Sequence, residues 1–327
     1  MTDRASVAES VQVGLEVTPG TAVAAPTNIR SVSVMFKMPG AAELFRPDGH
    51  KFNALAENNA EWTGFDISGK PTYTEICWLL APMFGNPSPS SSGVAVKTRV
   101  YSMSDTALLS PTTLTIEKGG SVRAQKLAYG VLTDLGMSIT RANGLSLTGQ
   151  GIGQLMSDGI TKTASPSDVA LVPMMGKHFD LYIDATAAGL GTTKMLRAFK
   201  VEPSLAGVFG PIWAINSAST SFTGVVDLAP TTGMKLTVEA DAAGMAYLTQ
   251  FRAGTIIFPR LKATGPIIDS SIPYSFQWDA ALLIKSVSPD EDESGVKVVS
   301  FETEFVKDST WGKATEITVV NDVASVA

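Results

Sequence analysis

Apolar and polar positions alternate with period two along most of the chain, and the period lengthens to a helical one in two places. Val11–Val17 and Ile29–Phe36 read as strands on either side of a Pro19-Gly20 turn, after a small, polar arm over residues 1–12. Glu61–Ser68 is a further strand, stopped by Gly69-Lys70-Pro71. Over Thr72–Phe84 the spacing changes. Ile76, Leu79, Leu80, Met83 and Phe84 form an i, i+3, i+4, i+7, i+8 stripe, and Gly85-Asn86-Pro87 ends it. Thr72 and Glu75 fit a capping box, in which the hydroxyl accepts from a first-turn N–H and the carboxylate reaches back. Pro82 falls in the last turn, and Pro87–Gly93 reads as a flexible loop. Alternation resumes in Thr112–Glu117 and Leu127–Thr140, where Val131, Leu135, Met137 and Ile139 share one face and Asp134, Ser138 and Thr140 the other. Asn143-Gly144 then turns the chain into Leu145–Thr148, the strongest short-range hairpin signal available.

After the linker Thr161–Asp168 the pattern starts again near His178. Asp241–Ala253 is a helix with Asp241 as N-cap, Met245, Leu248 and Phe251 on one face, and Gly254 as stop. Tyr274, Phe276, Trp278, Ala280, Leu282 and Ile284 alternate with Ser275, Gln277, Asp279 and Lys285 to form the outgoing arm of a second hairpin. Val296–Val306 returns with a phase shift at Val298-Val299 that predicts a β-bulge, and Pro289–Glu293 reads as a solvated acidic tip. The layout therefore repeats. Gly14–Phe36 matches Tyr182–Ser204, each with an Ile/Leu-Arg pair (Ile29-Arg30, Leu196-Arg197); the helix Thr72–Phe84 matches Asp241–Ala253; the hairpin Ala128–Thr148 matches Gln277–Phe305. The reading is a mainly β chain of two tandem modules, residues 1–165 with an N-terminal arm and residues 166–327 with a C-terminal arm.

Composition narrows the function classes. Charged residues make up 17% of the 327, and the 29 Gly and 18 Pro fall in short turn-like clusters, which is a β-rich profile and not a disordered one. A net charge of −6 without a basic run opposes binding through phosphate neutralisation. The lone cysteine, Cys77, sits among Ile76, Trp78 and Leu79 as a core residue and excludes a disulfide framework. The opening MTDRASVAES has no apolar stretch and predicts a soluble chain made in a cytoplasm. His50 and His178 have no nucleophile beside them in sequence, and no phosphate loop or G-x-S-x-G elbow occurs. Gly149–Gly153 is glycine-rich but leads to no helix, so it reads as a flexible strand exit and not a dinucleotide loop. Glu302 and Glu304 are adjacent on one strand edge, not across a cleft as a glycosidase requires. The expectation is no enzyme, no cofactor and no metal.

Three passages, Val11–Ala25, Leu127–Gln150 and Phe276–Asp308, resemble the tail tube (major tail) proteins of long-tailed bacteriophages, through their order more than through any one motif. The resemblance implies modules of two packed antiparallel sheets, a β-sandwich or partial barrel, flanked by a helix. It implies rings stacked into the tube through which DNA leaves the virion, with the tape measure, terminator and distal tail proteins as neighbours, no membrane partner, and a lean towards a non-contractile tail. At twice the size of a minimal tube domain, the chain is expected to form a trimeric ring with pseudo-six-fold symmetry in preference to a hexamer. DNA carries about one negative charge per 1.7 Å of axis, so a neutral or acidic lumen lets it slide without specific binding. Asp134, Ser138, Thr140, Asp279, Glu302 and Glu304 are the candidate lumen-facing residues. The alternatives are another virion component (terminator, baseplate or capsid-decoration protein) and a carbohydrate-binding β-sandwich.

Overall fold

Strand accounts for 54% of the chain and helix for 9%. The structure is a computed structural model that describes residues 6–92, 95–215 and 219–326; Met1–Ala5 of the expected N-terminal arm and Gly93 of the expected loop lie outside the described residues. In chain order the elements are β1 (Ser10–Leu15), β2 (Thr27–Ile29), β3 (Val32–Lys37), the hairpin β4 (Gly40–Phe45) and β5 (Leu55–Glu61), β6 (Thr63–Gly69), α1 (Ile76–Phe84), β7 (Ser90–Ser92), β8 (Val96–Ser102), β9 (Leu114–Gly119), β10 (Ala124–Thr140), β11 (Gly144–Gly153), β12 (Ser157–Ile160) and β13 (Ser167–Asp168). There follow β14 (Phe179–Asp184), β15 (Lys194–Met195), β16 (Ala198–Ala206), the hairpin β17 (Phe209–Ile212) and β18 (Gly224–Asp227), β19 (Thr231–Glu239), α2 (Ala242–Ala253), β20 (Phe258–Asp269), β21 (Ile272–Ala280), β22 (Leu282–Glu293), β23 (Val296–Phe305) and β24 (Thr315–Asn321). Strand thus begins at Ser10, inside the segment expected to be loose, and Ser90–Ser92 of the expected loop is a short strand.

The strands assemble into a thirteen-stranded sheet, a seven-stranded sheet and two hairpins. Eight strands of the larger sheet form an all-antiparallel array in the order β3-β6-β11-β10-β16-β19-β23-β22. Its first four strands and its last four follow the same succession along the chain. A second order recurs as well: β2-β1-β9-β10-β12 in the first half and β15-β14-β20-β21-β24 in the second.

Registers align the two sets residue by residue. β6 holds Thr63-Gly64-Phe65-Asp66-Ile67-Ser68 and β19 holds Thr232-Gly233-Met234-Lys235-Leu236-Thr237. Thr148 lies opposite Ser68, and Ser300 opposite Thr237. Both long hairpins carry an irregularity at one position, between Leu132 and Asp134 on β10 and between Ile284 and Ser286 on β22. This places Thr148 beside Ser300, where the sequence register had set it beside Phe305.

Two sequence expectations change at the bends. β10 runs through both layers by turning at Tyr129, whose φ of 59° is held by its N–H donating to Glu16 Oε1 (3.0 Å) and by its ring lying edge-on to Phe222. In the second half the matching turn falls at Ala281, so the outgoing arm expected over Tyr274–Ile284 is two strands in two sheets. The phase shift at Val298-Val299 corresponds to an irregularity in the facing strand, between Ser288 and Glu291.

Both halves contribute to one apolar cluster that runs from Val11 to Val326. β8 pairs with β24, and the buried Arg99 donates to Val323 O (2.8 Å) and Ala324 O (3.3 Å). Helix α1 is buried on every side and not amphipathic in use. Thr72 Oγ1 accepts from Glu75 N (3.1 Å) as the capping pattern predicts, but the Glu75 carboxylate instead accepts from Arg30 N (2.8 Å) and Ser31 N (3.1 Å). Asn321 closes the far side, donating to Tyr73 O (3.0 Å) and Cys77 Sγ (3.2 Å). Burial pushes the Cys77 thiol up. Helix α2 follows its sequence reading at both ends, with Asp241 accepting from Gly244 N (2.8 Å) and Gly254 in the left-handed region. It lies on the surface beside β22, with Gly244 its one buried residue. The linker is tied down, not free: Thr163 N donates to Glu117 (2.6 Å), and β13 pairs with β2.

Candidate assembly surface

Alternation gives the eight-stranded array one buried face and one polar face. On the buried face stand Val34, Phe65, Ile67, Leu135, Leu147, Val201, Met234, Leu236 and Phe301. Three inward positions of β11 are glycines because their partners need the room. A Cβ on Gly151 would fall 2.2 Å from Phe65 Cζ and 2.4 Å from Val131 O, and one on Gly153 would fall 2.7 Å from Leu127 Cδ1. The glycine-rich stretch is therefore part of the strand, and the expected flexible exit is corrected.

The polar face brings together five of the six residues singled out from sequence. Asp134, Ser138 and Thr140 line it from β10, and Glu302 and Glu304 from β23. Ser138, Glu302 and Glu304 border one shallow depression of about 690 Å³, and Asp134 borders another beside Ser33 and Gln150. The sixth, Asp279, does not join them. It belongs to β21 in the seven-stranded sheet, is 3% exposed, and accepts from Arg260 Nε (2.7 Å) and Nη2 (2.9 Å) and from Gln277 (2.8 Å). Once the chain turns at Ala281, a residue four positions before Leu283 has changed sheets, and its carboxylate serves to hold Arg260.

Charge on the polar face is balanced by pairs. Lys37 lies against Asp66, Lys200 against Glu202 (2.8 Å), Lys235 against Glu302 (3.1 Å) and Lys285 against Glu304 (2.8 Å). Hydrogen bonding to Glu302 raises the Lys235 ammonium above its ordinary value. Asp134 is a fifth carboxylate, bound by Gly207 N (3.0 Å) and Thr133 Oγ1 (2.7 Å). Such exposed pairs contribute on the order of 0–1 kcal/mol each, so their consequence is a near-neutral, slightly acidic surface and not stability.

The array has two open ends. Among the described residues β3 pairs only with β6, and β22 pairs along its length only with β23, beyond a single bridge from Leu282 to Ile257. At its centre β10 meets β16, with Leu135 opposite Leu205, Gly136 opposite Ser204, Ile139 opposite Val201 and Thr140 opposite Lys200. The four apolar residues of this seam are buried. Beside the sheet the hairpin β4–β5 projects with Leu44, Phe45, Phe52 and Leu55 exposed, Phe52 at 81%. It adjoins the β17–β18 hairpin through Glu61 N donating to Thr220 O (2.9 Å) and the edge contact of Trp62 with Trp213. Sequence reading passed over β4–β5 because both its faces meet solvent, leaving no buried stripe to mark it.

His50 is exposed in its turn, and His178 Nδ1 lies 3.3 Å from the Tyr73 hydroxyl. No helix among the described residues is long and apolar enough to cross a membrane. Neither protein-family models nor curated proteins give a match to this chain.

Proposed function

We propose that this protein is a structural subunit that polymerises with its own copies into stacked rings, forming the tail tube of a long-tailed bacteriophage. The observation that carries the reading is the eight-stranded array, which joins two sets of strands of the same order through β10 and β16 and, among the described residues, has no further strand along its two outer edges. An open edge is an aggregation hazard unless something pairs with it. Head-to-tail pairing that closes on itself gives a ring. The two tandem modules, residues 1–165 and 166–327, each supply one four-stranded unit, and three chains supply six. The polar face lines the channel with Asp134, Ser138, Thr140, Glu302 and Glu304, and its paired charges offer passing DNA neither a cationic trap nor strong repulsion. The exposed apolar residues of β4–β5 provide contact between rings. The role is architectural: no catalysis and no cofactor, in the virion, with the other tail proteins at the tube's ends.

Negative-stain microscopy of the concentrated protein tests this. Hollow filaments of uniform width with three-fold end-on views are expected; a monodisperse monomer at every concentration and salt condition overturns the reading.

A further inference from the structure

The seam inside the chain specifies the seam between chains. We infer that β22 of one copy pairs antiparallel with β3 of a second copy in the register that β10 and β16 already use, and that the second copy covers α2. This rests on the self-assembly reading and adds its residue-level geometry.

The register follows from equivalences fixed within the sheet. Val201 faces Leu236 as Val34 faces Ile67, and Ser204 faces Gly233 as Lys37 faces Gly64, so β3 occupies the place of β16. Thr140 closes on Gly144 as Glu293 closes on Val296, and Gly136 and Ser288 lie opposite Thr148 and Ser300, so β22 occupies the place of β10. Transferring the four β10–β16 pairs puts Val287 opposite Met38, Ser288 opposite Lys37, Asp292 opposite Val34 and Glu293 opposite Ser33 of the second copy, so that Asp292 takes the place of the apolar Ile139. Met38, now 60% exposed, takes the place of the buried Leu205.

Charge and exposure agree with this assignment. β22 carries Asp290, Glu291, Asp292 and Glu293 towards its tip, whereas β3 carries no acid and Lys37, whose ammonium also lies against Asp66 of β6. Pro289, without an N–H, falls at the irregularity of β22, and it disfavours extended pairing in other registers. Behind the internal seam, α1 is enclosed by the second half through Tyr274, whose ring centroid is 6.0 Å from that of Tyr73, and through Asn321. Behind the open edge, the equivalent α2 leaves Phe251 38% exposed and Leu248 half-buried. The first half of a second copy is what the repeat places there.

Cysteine pairs in the full-length protein test the register, since the native Cys77 is buried and silent. All four substituted positions are exposed. Lys37→Cys with Ser288→Cys, and Ser33→Cys with Glu293→Cys, are expected to crosslink under mild oxidation into dimers and a closed covalent trimer. The exchanged pairs, Lys37→Cys with Glu293→Cys and Ser33→Cys with Ser288→Cys, are expected to give at least tenfold less. Amide exchange in α2, but not in α1, is expected to slow on assembly. Rings that crosslink best through the exchanged pairs, or that leave α2 exchange unchanged, overturn this inference while leaving self-assembly intact. Absence of both rings and crosslinks overturns the assembly reading itself.

Discussion

Two carboxylates at matching places show how single residues set the local fold. Glu16 directly after β1 and Asp184 at the end of β14 are both buried. Glu16 accepts from Gly20 N (2.8 Å) and from the hydroxyls of Thr113 and Thr115 (2.7 and 2.9 Å). Asp184 accepts from Gly191 N (2.9 Å), Thr193 N (2.9 Å) and Thr192 Oγ1 (2.7 Å). Burial alone would raise the Asp184 carboxyl, but the hydrogen bonds from Thr192, Thr193 and Gly191 together outweigh it and hold the group below the ordinary carboxylate value. A lowered folded-state value means that this stability is present above the unfolded value and lost as pH falls below about 4. Asp184→Asn is expected to flatten the acid side of a melting-temperature profile between about pH 4 and pH 2. An unchanged slope there removes Asp184 from the acid transition.

At the scale of elements, the repeat is filled in two ways. Phe65 on β6 points at Gly151 on β11, while at the matching places Met234 faces Thr303, whose hydroxyl donates to Met234 O (2.7 Å). Gly151→Ala is expected to destabilise by about 1–3 kcal/mol, because the backbone of β10 must also yield. Adding Phe65→Met is expected to recover part of that loss in a urea-denaturation double-mutant cycle, and strict additivity overturns the pairing. The alternation of β10, the Asn-Gly turn and the caps of α2 were legible in the sequence because each is a local signal. The burial of α1 on every side goes beyond its five-residue stripe: Cys77, Trp78, Ala81 and Pro82 are apolar as well, and strands far along the chain cover them. Glu75 looked like a capping residue for the same reason: the amides of Arg30 and Ser31 that claim it are distant in sequence. Nor could alternation across Ala281 reveal a change of sheet, because period two continues through the bend, and Asp279 was misplaced with it. The match of β6 with β19 is not visible in residue identity, because Phe65/Met234, Asp66/Lys235 and Ile67/Leu236 share only the face each points to.

For the whole molecule, the decisive property is that opposite ends of one sheet differ in charge. At one end Lys37 and the exposed Met38 carry no acid beside them on β3, and four consecutive acids mark the other. Within a Debye length of about 8 Å such charges steer association, and salt screens them. Replacing Asp290, Asp292 and Glu293 with Lys is expected to abolish ring formation at low salt in sedimentation velocity. The monomer's unfolding free energy in urea should fall by about 0.5 kcal/mol per substitution or less, with a further part from the hydrogen bond that Asp292 accepts from Gly295 N (2.9 Å). Rings that persist at low salt would show that the acidic end plays no part in joining copies.

The clasp of β24 and Val323–Ala324 over Arg99 also imposes a timetable on synthesis. Arg99 and Asn321 are 222 residues apart, so the core around α1 stays open until translation has run that distance. At about 5–20 residues per second this is on the order of ten to forty seconds. A nascent chain therefore presents its β3 border before its fold is locked, yet lacks the β22 border until almost the end. If copies join as proposed, two chains at the same early stage of synthesis lack the β22 edge needed to pair with each other.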